Sequence, residues 1–184
     1  MHIRLIKAHH VKTNAVIPIT DALYLDEHTI MASCHDGMTK VWDLRSQAFK
    51  PSAQIYTHQE NSDVSSLTSF EDTKRFILRD KSLKLFDLRQ PDTCIEEWSE
   101  YPNPNYPKAK VCLSPDEQVM LVPVSKQNGY GKLAVIDLAS YDEIGEIKYL
   151  GVDAISAMWV KEINQIFVSL SSGSIEGYFT PELS

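Results

Sequence analysis

The chain has 184 residues, 43% of them hydrophobic and 23% charged, and a formal net charge of −7. That composition suits a soluble globular protein, and the acidity argues against a nucleic-acid groove as the main function, since such grooves carry a basic footprint. Apolar runs such as Val119-Met120-Leu121-Val122 fall far short of the roughly 18 residues that suggest a membrane span, and the apolar part of Met1–Lys7 is too short for a secretory signal.

Short alternating or apolar runs, separated by turn residues, follow one another along the chain, as strands do. His2–Lys7 reads as an outer strand. A first unit then gives Ala15–Thr20 as the innermost strand, Thr29–Cys34, Met38–Leu44 and the outer Ala53–Thr57. Between its second and third strands His35-Asp36-Gly37 makes a tight turn in which Gly takes positive φ. A second unit gives Val64–Phe70, Arg75–Leu78, Ser82–Leu88 and Cys94–Ser99. A third gives Ala109–Leu113, Val119–Ser125, Lys132–Leu138 and Glu143–Tyr149. A fourth gives Ile155–Val160, Gln165–Leu170 and Ser174–Phe179. No long helical period occurs.

The third strands align as a repeat: Thr39-Lys40-Val41-Trp42-Asp43-Leu44-Arg45, Leu83-Lys84-Leu85-Phe86-Asp87-Leu88-Arg89 and Leu133-Ala134-Val135-Ile136-Asp137-Leu138. A degenerate copy, Ile175-Glu176-Gly177-Tyr178-Phe179-Thr180, places Thr180 at the Asp position. A period of about 40–45 residues ending in Trp-Asp is that of the WD-repeat propeller, four strands to a blade. The expected fold is therefore all-β, about four blades of four antiparallel strands, forming part of a larger ring of about seven blades. The blade units run over 8–58, 59–99, 108–150 and 151–184, the last without its outer strand. Closure into a small four-bladed ring, with His2–Lys7 completing the last blade, is the alternative.

Four features together resemble the gastrulation-defective family, also called the WD repeat-containing protein seventy family. They are Asp80-Lys81-Ser82-Leu83-Lys84-Leu85-Phe86-Asp87-Leu88-Arg89-Gln90, Cys112-Leu113-Ser114-Pro115-Asp116-Glu117, the Gly-bearing loop Ser125–Leu133, and Met158-Trp159 followed by Asn164-Gln165-Ile166 and Ser172-Gly173. The resemblance covers nearly the whole chain and implies the C-terminal half of that family's propeller. Phe86 departs from the usual Trp, and the fourth unit loses its Asp. The resemblance further implies a nuclear, non-enzymatic, spliceosome-associated scaffold, or a substrate receptor of a cullin-RING ubiquitin ligase in chromatin or DNA repair.

Trp42, Asp43 and Arg45 resemble the box through which ligase receptors grip their adaptor, and Phe86, Asp87 and Arg89 repeat its spacing. An exposed Arg can donate a bidentate pair to a partner's carboxylate. The plainer alternative makes Trp and Asp blade packing and Arg a solvated strand end. His10 (or His9), Ser33, Asp36 and Trp42 are expected to form a buried polar network within the first blade. On paper it imitates a Ser-His-Asp triad, but these are structural positions of the repeat, so a structural role is expected and no enzymatic activity. The second blade keeps His58 and Asp80 without a matching hydroxyl.

Cys34, Cys94 and Cys112 are odd in number and far apart, so a disulfide framework is not expected and a reducing compartment fits. Adjacent Cys34 and His35 alternate across a strand and suit one metal ion poorly. No metal, cofactor or catalytic residue is assigned. Glu96-Glu97 and Asp142-Glu143 read as solvated edge charges that discourage strand addition. Possible partner loops are the proline-rich Tyr101–Pro107 connection with Tyr101 and Tyr106, which otherwise covers a blade edge, and the Ser125–Lys132 loop with Lys126, Tyr130 and Lys132. The expected partners are proteins of a multi-subunit nuclear complex and the remaining blades, from another segment or chain. Neither direct nucleic-acid contact nor a membrane is expected.

Overall fold

A computed structural model describes residues 7–9, 14–46, 50–57, 64, 66–72, 74–90, 92–101, 109–127 and 129–179, with backbone only at Lys126 and Gln127. The described chain is all-β apart from a single 3-10 turn at Lys161–Ile163. It divides into two compact units, Met1–Glu97 and Trp98–Ser184.

In the first unit β1 (Ile19–Tyr24), β2 (Thr29–Cys34), β3 (Met38–Asp43) and β4 (Ala53–Tyr56) pair in chain order as one antiparallel sheet. A second sheet repeats the meander with β5 (Ser66–Ser69), β6 (Arg75–Arg79), β7 (Leu83–Asp87) and β8 (Cys94–Trp98). In the second unit the third sheet is β9 (Cys112–Leu113), β10 (Val119–Gln127), β11 (Tyr130–Asp137) and β12 (Glu143–Leu150), and the fourth is β13 (Ala154–Val160), β14 (Gln165–Leu170) and β15 (Ile175–Phe179). These are four propeller blades, the last with three strands among the described residues. The expected outer strand His2–Lys7 lies outside the described residues except for Lys7.

Two expectations about strand placement and repeat alignment need correction. The innermost strand of the first blade is Ile19–Tyr24 rather than Ala15–Thr20. Val16 instead bridges His9, and Ile17 N donates to Ala8 O at 3.0 Å. Pro18 has no N–H to give a ladder, so the strand begins after it. The second correction concerns the fourth repeat. The first residue of the second strand pairs with the repeat Asp in each earlier blade: Thr29 with Asp43, Arg75 with Asp87, Val119 with Asp137. In the fourth blade Gln165 pairs with Phe179, so Phe179, not Thr180, holds the Asp position and Tyr178 holds the Trp position.

Cores form between successive blades within each unit. In the first, Met31, Val41 and Ile55 of one sheet meet Leu67, Phe76, Leu78 and Phe86 of the next. Phe86, standing where Trp is usual, stacks on its cross-strand partner Phe76 with centroids 5.3 Å apart. In the second, Leu121, Leu133 and Tyr149 meet Ala157, Val168 and Leu170. Each such fully buried side chain contributes about 1.5–3 kcal/mol by the area rule.

Side chains also tie adjacent innermost strands. Asp21 Oδ2 accepts from Leu67 N at 2.8 Å, and Cys112 Sγ accepts from Trp159 N at 3.2 Å. The glycine-bearing loop expected over Ser125–Lys132 is largely strand, because β10 and β11 keep pairing out to Gln127 and Tyr130.

Candidate interaction site

The sequence singled out two Asp-x-Arg ends, and both fold into the same closed shape. Arg45 donates from Nε to Asp43 Oδ1 at 3.0 Å and from Nη2 to Oδ2 at 2.9 Å, while its backbone N–H reaches Oδ1 at 2.9 Å. Arg89 grips Asp87 likewise, with Nε 2.9 Å from Oδ1, Nη2 on Oδ2, and the backbone N–H 2.8 Å from Oδ1. The carboxylate that each fork holds is therefore its own, two residues earlier, and the bidentate pair expected for a partner is already made within the turn. Arginine hydrogen bonds come first among the causes that hold Asp43 and Asp87 down to about 2. The arginines remain accessible: the Arg45 side chain is 66% exposed and that of Arg89 61%. In the third blade Asp137 closes the same turn without an arginine, accepting from Ser140 N at 2.8 Å.

The buried network of the first blade differs from expectation. Trp42 pairs with Ile30 and Ser33 with Thr39. Alternation along β2 puts residues 30 and 33 on opposite faces of the sheet. Ser33 Oγ therefore turns to Thr20 Oγ1 at 2.9 Å and Asp21 O at 3.3 Å, and it is not joined to Trp42. Trp42 packs with Ala8, Ala32 and Cys34, and its buried Nε1 has no hydrogen-bond partner among the described residues. His10 and His58 lie outside the described residues. Burial pushes the Cys34 thiol up to about 12.

Sequence reading missed the group that does complete this site. Lys40 Nζ lies 2.6 Å from Asp36 Oδ2 and donates to His9 O at 2.7 Å, and both side chains are buried. The second blade repeats the device more loosely. Lys84 Nζ is 3.6 Å from Asp80, 3.9 Å from Glu97 and 3.5 Å from Thr57 O. The signal was present as Asp-x-x-x-Lys at Asp36/Lys40 and again at Asp80/Lys84. In each case the lysine joins its own blade's turn to a carbonyl in the preceding segment.

The proposed partner loops fare unevenly. Tyr101 is buried, donates its hydroxyl to Glu143, and lies beneath Lys132, whose Nζ is 5.3 Å from the ring centroid. Burial first, then the bond to Glu143, raises its phenol above the usual tyrosine range. It covers a sheet edge and offers no free ring to a partner. Lys132 is held by Glu143 at 2.9 Å and Glu146 at 3.5 Å. Tyr130 is 47% exposed; Tyr106 and the Lys126 side chain lie outside the described residues. Glu143 and Glu97 are more than solvated edge charges, since Ser82 Oγ donates to Glu97 at 2.6 Å. Among the described residues, no group of three metal-ligating side chains is placed to hold an ion.

No family model matches the chain. Curated proteins do. WD repeat-containing protein 70 of Bos taurus is 27% identical over 173 residues, covering 92% of this chain and 26% of that protein. The gastrulation defective protein 1 homolog of Drosophila melanogaster is 27% identical over 159 residues, covering 84% of this chain and 24% of the relative. In Xenopus laevis, WD repeat-containing protein 70 is 26% identical over 187 residues, covering all of this chain and 30% of the relative. The chain is a run of WD-repeat blades similar to these proteins. It spans between 24% and 30% of the length of these three relatives. In this WD-repeat chain the Asp-x-Arg clasps close the turns after β3 and β7, while Lys40 and Lys84, within those strands, bind the carboxylates of Asp36 and Asp80 in the turns that precede them.

Proposed function

We propose that this WD-repeat chain is a non-catalytic protein-interaction scaffold of a nuclear assembly, spliceosome-associated. One observation carries the scaffold reading: the polar side chains at repeat positions are spent on holding blades. Asp36 is bound by Lys40, Asp43 by Arg45, Asp87 by Arg89, and Ser33 by Thr20. Among the described residues, Ser33 turns to Thr20, Asp36 to Lys40, and His9 Nδ1 lies 2.9 Å from Asn14 O, so these groups are not assembled into a Ser-His-Asp triad. Recognition is left to exposed turns and apolar faces, the usual material of protein interfaces. The nuclear and splicing context is supported by the resemblance to the gastrulation-defective family. Gentle purification of the longer native protein, with mass spectrometry of what accompanies it, tests it. Splicing factors are expected; their absence alongside an unrelated cytoplasmic set overturns the context.

A second reading, a substrate receptor of a cullin-RING ligase, is favoured by the two successive exposed clasps. Their geometry sets a condition on it. An adaptor carboxylate must compete with Asp43 and Asp87, or bind the guanidinium edge these leave. Arg45→Ala with Arg89→Ala should then abolish adaptor co-purification while the circular dichroism spectrum is retained. A double variant that still brings the adaptor down removes this reading.

A further inference from the structure

We draw no further inference here: the strongest candidate, the apolar surface patch of Tyr130 and Leu150, cross-strand partners at the turn end of the long β10–β11 hairpin and 47% and 76% exposed, carries no proposal because nothing in the structure shows what covers it.

Discussion

Lys40 and Asp36 form an ion pair of 2.6 Å, with their side chains only 1% and 2% exposed, and the same ammonium holds the backbone carbonyl of His9. A pair this buried contributes little net stability against an apolar replacement of both partners, yet losing one partner strands a charge in a dry site. Lys40→Met should therefore cost about 3–5 kcal/mol. Lys84→Met should cost much less, about 1 kcal/mol or under, because Lys84 is partly exposed and, among the described residues, no acceptor lies closer than 3.5 Å. Urea denaturation of the two variants checks the contrast, and equal losses would show that the two lysines do the same job.

Trp42 offers a sharper test of the revised network. Its Nε1 is buried without a hydrogen-bond partner among the described residues. Replacing it by Phe, the residue that Phe86 places at this position in the second blade, removes an unsatisfied donor along with some apolar area. Trp42→Phe should change stability by less than about 1 kcal/mol, since the two effects oppose each other. A loss well above that would mean that the indole N–H is engaged.

The clasps predict a pH signature. Asp43 and Asp87 titrate near 2 because Arg45 and Arg89 bind their ionised forms. A depressed folded value contributes stability that is present above the unfolded value of about 3.9 and is lost as pH falls toward the folded one. That contribution should disappear between about pH 4 and pH 2. Carboxylate-carbon NMR should find both midpoints near 2, and Arg45→Ala should return Asp43 toward the ordinary aspartate value while leaving Asp87 in place.

Gly131 is pinned rather than flexible. It donates to Val152 O at 3.1 Å, and a Cβ there would lie 2.3 Å from that oxygen and 2.7 Å from Asp153 Cα. The obstructing atoms are backbone, so the β11 end and the 151–153 connection must separate. Gly131→Ala should cost about 1–3 kcal/mol, the range for overpacking a close contact, read as a lower urea midpoint. Gly129, with φ +91 and nothing within 4 Å of its Cβ position, is limited by backbone strain alone and should lose less on the same change.

Much of this was written locally. A period of two along each run and the Trp-Asp spacing fixed the meander, the blade count and most strand limits, because alternation and turn chemistry act over a few residues. Alternation also contained the fact that Ser33 and Trp42 face apart, and Asp-x-x-x-Lys contained the lysine device. What local pattern does not encode is choice among partners. Arg45 closing on Asp43 instead of waiting for a visitor, Tyr101 buried over Glu143, and Phe179 taking the Asp position were decided by strand register and packing, where one residue's shift exchanges faces. The sequence by itself determined that this protein is built of WD-repeat blades. The tertiary structure decided which polar groups are consumed holding those blades together, and so which surfaces remain for partners, because burial and hydrogen bonding depend on neighbours that sequence spacing does not fix.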